Sequence, residues 1–286
     1  MNYLYSIAGL KILCKIPFSL TIDSESTEFI FPLEENDLTE ADLTIQYCKT
    51  EAFSDFQKES CYSTACRYFF QNETERKVYY CAAPEQEPYA CVIWPCANPK
   101  QIFLYYLAGA EKYLNYGKNI TGHLGLENLL WMRRGILLHS SFVSRKEKGI
   151  LFSGPSGVGK STQAGLWKKY RNAEIINGDR AAIRCVDGKW TAYGSPCAGS
   201  SGIYKNKSAE IKVIIILRQA DSNHIRKMSP AEAFVALYPE VSIHGWDRKF
   251  VEDASECLKN LLADVPVYLL ECLPDEEAVS LVGNII

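Results

Sequence analysis

Lys148-Gly149-Ile150-Leu151-Phe152-Ser153-Gly154-Pro155-Ser156-Gly157-Val158-Gly159-Lys160-Ser161-Thr162 is the stretch that decides how the second half of the chain folds. Its start, KGILFS, is a short apolar run of the kind that forms a buried strand. Its middle fits GxxxxGK[ST] from Gly154 to Ser161. Its end opens STQAGLWKKY, a helix-competent segment from about Lys160 to Tyr170. Strand, glycine loop and helix in that order are the setting in which this pattern binds phosphate. Glycines let successive backbone N–H groups turn toward one anion, and the helix N-terminus adds the positive end of its dipole. The loop residues Gly154, Pro155, Ser156, Gly157, Val158 and Gly159, with Thr162 behind them, are the expected cradle. Lys160 supplies a mobile ammonium for β- and γ-phosphates, and Ser161 a hydroxyl for the accompanying magnesium ion. The competing reading is a glycine-rich turn that happens to precede Lys-Ser.

Outward from the loop, the pattern predicts alternating strands and helices. Upstream, Gly125–Arg134 reads as a helix and Ile136–Val143 as a strand, followed by the polar tip SRKEKG. Downstream, Ala173–Ile176 reads as a strand ending at Asn177-Gly178-Asp179. Ala181–Val186 and Lys189–Tyr193 flank Asp187-Gly188, a strong hairpin signal. Gly194–Asn206 is a Gly/Ser-rich loop, and Ile211–Leu217 a strand buried on both faces. Ser229-Pro230-Ala231-Glu232 is a capping box with proline at the first helical position. Asp247–Leu262 reads as a helix, Pro266–Glu271 as a strand, and Pro274 as the start of the last helix.

The first hundred residues carry no such chemistry. Leu10–Ile22, Leu43–Cys48, Tyr89–Trp94 and Gln101–Leu107 read as strands, and Arg67–Phe70 and Lys77–Cys81 as a hairpin around QNETE. The expected division is a β-rich region over 1–118 and an α/β domain over 119–286.

Composition bounds the function. The 286 residues are 47% hydrophobic and 23% charged, with a net charge of -3, which is ordinary for a globular chain and gives no bulk attraction to nucleic acid or anionic membrane. The apolar windows are too short for a spanning helix, and Lys11 and Lys15 interrupt the apolar N-terminus, so no signal peptide is read. The expectation is a cytoplasmic protein with neither membrane nor nucleic-acid partner. The 11 cysteines have no CxxC spacing; the five between Cys61 and Cys96 allow a zinc reading, set against reduced core thiols.

Leu138-His139-Ser140-Ser141, the glycine loop, INGDRAAI and YGSPCAGSSGIYKN together resemble the catalytic domain of HPr kinase/phosphorylase, and more distantly ATP-dependent phosphoenolpyruvate carboxykinase, over about residues 130–220. They look closest to HPr-kinase-like proteins found beside peptide-modification systems. The resemblance implies an α/β domain with a mixed sheet, ATP and Mg2+ as cofactors, and γ-phosphoryl transfer to a hydroxyl, a serine of a peptide or protein. A free-serine kinase and a nucleotide sensor without turnover are the alternatives. It implies catalytic roles for Asp179, His139, Lys160 and Arg180, and magnesium ligation by Ser161 and Asp179. It leaves self-association open.

Three of these residues also have plain readings. Asp179 could cap a turn, His139 could be a packed core residue, and Arg180 could be a surface ion-pair partner instead of a cis arginine finger. The Gly194–Asn206 loop, with Lys205 and Lys207, has a family counterpart near the acceptor, where small residues would admit a peptide hydroxyl and the lysines would attract phosphate or an acidic substrate; its plain reading is a mobile surface loop. His123, His224 and His244 have no supporting constellation. One departure stands out: the bacterial HPr kinases have two adjacent aspartates where this chain has Gly178-Asp179-Arg180. A second carboxylate is missing, and the signature that accompanies phosphorylase activity is not recognisable.

Overall fold

The computed structural model describes residues 1–33, 40–56, 60–197 and 199–286. They form two compact units, Met1–Gly125 and Leu126–Ile286.

In the first unit the strands are β1 (Asn2–Ile7), β2 (Leu10–Lys15), β3 (Ile30–Phe31), β4 (Leu43–Thr50), β5 (Tyr62–Thr64), β6 (Arg67–Gln71), β7 (Glu75–Cys81), β8 (Pro88–Pro95) and β9 (Gln101–Leu107). They build one sheet in the order β3-β1-β2-β4-β9-β8-β7-β6-β5, with β2–β4 and β4–β9 parallel. Short helices α1 (Ser24–Thr27), α2 (Glu111–Leu114) and α3 (Asn119–Leu124) accompany it. Period-two burial is clear in β4, where Leu43, Ile45 and Tyr47 are buried, and in β9, where Ile102, Leu104 and Tyr106 are. The strand expected over Leu10–Ile22 ends at Lys15, two residues short of Pro17, and pairs with β1 through a turn at Ala8 and Gly9, both at positive φ. That turn has no Asn, Asp or Pro to announce it.

The second unit opens with α4 (Leu126–Trp131) and continues β10 (Ile136–Arg145), β11 (Lys148–Ser153), α5 (Lys160–Arg171), β12 (Glu174–Asn177), β13 (Arg180–Val186), β14 (Lys189–Tyr193), β15 (Ser208–Gln219), β16 (His224–Lys227), α6 (Pro230–Leu237), α7 (Arg248–Asp264), β17 (Val267–Cys272) and α8 (Glu276–Gly283). The final helix starts at Glu276, not at Pro274, because Asp275 accepts from the Ala278 N–H and caps it. The sheet is mixed: β11 runs parallel to β15, and β15 parallel to β17, while β10 is antiparallel to β11, β12 and β13. The path β11-β10-β13-β14-β15 returns to β11.

The central strand β15 is buried on both faces, as its unbroken β-branched run requires. Ile211, Ile214 and Ile216 pack into one core with α6 and α7. Val213, Ile215 and Leu217 pack into a second with Ala164 and Trp167 of α5 and Ala278, Val279 and Val282 of α8. Helices therefore cover both faces of a mixed sheet. Among the described residues no helix is long and apolar enough to cross a membrane.

Candidate functional site

The loop between β11 and α5 has the backbone its sequence demands. Gly154, Gly157 and Gly159 all lie at positive φ (138°, 80° and 112°), conformations that a side chain resists. Gly159 is the N-cap of α5 and offers no side-chain cap, so the first N–H groups of the helix are left for another acceptor. Lys160 is only 7% exposed. Its ammonium donates to the carbonyls of Gly154 at 2.7 Å and Pro155 at 3.1 Å, so the charge is folded into the loop itself. Burial pushes its pKa below the ordinary lysine value, and the charges of Glu240 and Asp179 oppose that shift. Ser161 and Thr162 are exposed in the first turn of α5.

Strand β10 brings His139 to the loop's entrance. Ser140 pairs with Ser153 across the β10–β11 register, and the Ser153 hydroxyl donates to the His139 carbonyl at 2.9 Å. On its other edge β10 pairs first with β13, placing His139 opposite Arg180, and then with β12. Asp179 occupies the step between those two strands. The Ser140 N–H donates to the Asp179 carbonyl at 2.8 Å, and the Ser141 hydroxyl to the Gly178 carbonyl at 3.0 Å.

Asn177 locks this step. Its side chain is fully buried. Oδ1 accepts from the N–H groups of Asp179 and Arg180 at 2.8 and 2.7 Å. Nδ2 donates to the carbonyls of Ser195 and Cys197 at 2.9 and 3.2 Å, tying the Gly194–Asn206 loop to the same point. Within that loop Ala198 lies outside the described residues. Gly199, at φ 54°, closes over Asp179: a Cβ there would sit 2.6 Å from the aspartate Cγ. The loop's two lysines face elsewhere, both bonded to Glu174 at 2.7 and 2.8 Å. Those bonds, Lys205 first, hold the Glu174 carboxyl below its usual value.

The residue that sequence reasoning missed is Glu240. It ends a single 3-10 turn, Tyr238–Glu240, that follows α6. The next residues lie along β10: Val241 bridges Leu138, and the Ser242 N–H donates to the Leu137 carbonyl at 2.9 Å. That seating brings the Glu240 carboxylate to His139 Nδ1 at 2.8 Å, while His139 Nε2 lies 3.5 Å from Asp179 Oδ1. One imidazole thus sits between two carboxylates, and the Glu240 side chain is only 11% exposed. The same seating gives Arg180 its partner: Nη1 donates to the Ser242 hydroxyl at 2.6 Å, and Nε lies 3.5 Å from Asp179 Oδ2. Proximity of Glu240 to His139 spans a hundred residues of chain, and no local motif marks it.

Of the histidines with no constellation in the sequence, His123 shares a 2.9 Å contact with the Tyr89 hydroxyl. His244 Nε2 lies 3.1 Å from Asn128 Oδ1 and 3.6 Å from Glu127 Oε1. His224 lies on β16, opposite Glu271 of β17. The cysteines are all free thiols. Among the described residues no three His, Cys, Asp or Glu side chains gather as a metal cage.

No family model and no curated protein matches the sequence. The solved structure of the Hpr(Ser) kinase/phosphatase from Coxiella burnetii is similar to part of the chain, with a TM-score of 0.31 and 14% identity over 52% of this chain and 87% of that one. The likeness is loose.

Proposed function

We propose that the second unit is an ATP-dependent kinase that transfers the γ-phosphoryl group to a hydroxyl, that of a serine in a peptide or protein. The observation that carries this reading is the pairing of the glycine loop and its buried Lys160 with the His139, Asp179 and Glu240 group, joined to the strand that feeds the loop by the Ser153 hydroxyl on the His139 carbonyl. A loop alone would serve any nucleotide binder. An acid–imidazole–acid group beside it supports turnover over mere sensing.

The division of labour follows from charge. The free N–H groups at the start of α5 and in the loop take the phosphate oxygens. The Lys160 ammonium exchanges its two loop carbonyls for phosphate oxygens, which are stronger acceptors. The residues suit magnesium: the Ser161 hydroxyl and the Asp179 carboxylate are hard oxygen donors, and this ion normally takes one or two carboxylates and shares the rest of its shell with phosphates and water. When bound, magnesium would neutralise charge on the β- and γ-phosphates. The acceptor oxygen attacks the γ-phosphorus as the bond to the β-phosphate oxygen breaks and ADP leaves. The hydroxyl proton passes to the Asp179–His139 pair, with Glu240 holding the imidazole. Such transfer passes through a loose transition state, in which positioning and charge neutralisation outweigh early proton removal. Arg180, tied to Ser242, keeps a fixed positive charge beside Asp179.

The test is ADP formation from γ-labelled ATP with serine-containing peptides, followed by mass spectrometry of the acceptor. Phosphoserine in the peptide supports the proposal. Tight ATP binding with no ADP and no labelled acceptor would make the protein a sensor, and label on free serine would make it a small-molecule kinase.

A further inference from the structure

We propose that a second anion site, specific for small phosphate-bearing molecules, lies at the far end of β11 and α5 from the glycine loop. A cavity of about 250 Å³ opens there, walled by Arg145, Lys146, Lys148, Arg171 and Trp167 among others. Arg145, Lys146 and Lys148 come from the turn that joins β10 to β11, and Trp167 and Arg171 from the last turns of α5. Six residues of strand and twelve of helix separate this cavity from the loop, a span of roughly 18–20 Å, so one phosphate chain does not reach both.

Three observations carry the proposal. The first is charge. Four cationic side chains face one small cavity, and its wall contains no Asp or Glu side chain. Part of that charge has a local use. The Arg145 Nε donates to the Arg171 carbonyl at 2.9 Å, which caps the end of α5, and the Arg171 Nη2 donates to the Ser280 hydroxyl at 3.2 Å. A helix C-terminus carries only about half a negative charge. Even with the main chain of Ile286, which also lines the cavity, it does not balance four cations, and no ion pair to any of the four is found among the described residues. The second is Trp167, which is 2% exposed and whose indole N–H finds no acceptor within the protein. That N–H is itself shut off from the cavity, so it serves an anion only when the indole turns toward it. The third is backbone strain. Lys146 and Glu147 form the two-residue turn between paired Arg145 and Lys148, with φ of 50° and 62°. Asn-Gly adopts that turn with least strain. A lysine held there places its ammonium at the cavity at the turn's expense.

Guanidinium forks and ammonium groups in this number suit phosphoryl oxygens, and the volume admits one or two phosphoryl groups and not a chain segment.

The experiment titrates pyrophosphate calorimetrically into the full-length Lys160→Ala protein, in which the loop's ammonium is gone. The proposal expects binding that weakens as salt rises from 50 to 500 mM. Adding Lys146→Asn and Lys148→Gln should lower that affinity at least tenfold, and Trp167→Phe several-fold. Because asparagine tolerates the left-handed turn, the Lys146→Asn chain should unfold at the same temperature or higher, which separates lost binding from lost fold. No pyrophosphate binding in Lys160→Ala, or binding that Lys146→Asn and Lys148→Gln leave unchanged, would overturn the second site, and neither result touches the kinase proposal.

Discussion

Replacing Asn177 by alanine tests how the site is held. The side chain satisfies four backbone groups at once: the N–H groups of Asp179 and Arg180 and the carbonyls of Ser195 and Cys197. Alanine leaves all four without that partner, the Ser195 carbonyl in a buried place and the other three half-buried. An orphaned buried polar group costs about 1–3 kcal/mol, and the low end applies where water reaches part of the turn. Four groups at about 1 kcal/mol each give about 4 kcal/mol. For a unit of this size each kcal/mol moves the midpoint by roughly 2–4 °C, so the expected loss is about 8–16 °C. Thermal unfolding followed by far-UV circular dichroism reads it directly. Phosphoryl transfer should fall further than stability alone explains at a temperature where the variant is folded, because Asp179 loses its anchor. A midpoint within 2 °C of wild type would mean instead that the step from β12 to β13 is held by the strands and not by this amide.

Three other outcomes follow from the same geometry. Glu240→Gln should lower the turnover rate about tenfold or more and leave MgATP affinity within a few-fold; its effect and that of His139→Gln should be non-additive in a double-mutant cycle, and simple additivity would show that Glu240 does not act through the imidazole. Gly199→Ala should displace Asp179, because the new Cβ would lie 2.6 Å from the aspartate Cγ at a φ of 54°; steady-state turnover at wild-type level would show that the loop yields instead. Acidification should unlock α6. The Glu232 carboxyl is held down from 4.5 to about 2 by the Ser229 N–H first and then by Arg226. A carboxyl lowered on folding stabilises above its unfolded value and loses that contribution as pH falls from about 4.5 toward 2. The urea midpoints of wild type and Glu232→Gln should therefore differ at pH 6, draw together below about pH 4.5 and meet only at about pH 2 or below; a gap that does not narrow over that range would be contrary to the cap's assigned role.

Much of the second unit is legible in the sequence because its signals are local. The glycine loop, the Asp187-Gly188 hairpin and the Ser229 capping box each write their geometry into a few consecutive residues, and the strand and helix around the loop begin and end within two residues of the expected positions. The continuous apolar run of β15 announces burial on both faces, and the two cores confirm why it cannot alternate. What the sequence hides is long-range. The second carboxylate is absent from Gly178-Asp179-Arg180, yet Glu240 stands beside His139 because residues 241–242 bond to the edge of β10. Asn177 reads only as the end of a strand and works as a buried hub. Lys205 and Lys207 read as substrate attractants and are bonded to Glu174. The first unit hides its opening hairpin for the opposite reason: Ala8 occupies a left-handed position that alanine rarely takes, and Gly9 alone is a weak turn signal.

In the proposed kinase the loop from Gly154 to Ser161 grips a nucleotide's phosphates through its amides and the Lys160 ammonium. Calorimetric titration with MgATP measures that grip without knowledge of the acceptor. Micromolar affinity is expected for the wild-type chain and at least a tenfold loss in Lys160→Ala, the loss of one charge-assisted contact of roughly 1.5–3 kcal/mol, with unchanged far-UV circular dichroism. Equal affinity in the two proteins, or no MgATP binding to the wild type, would contradict it.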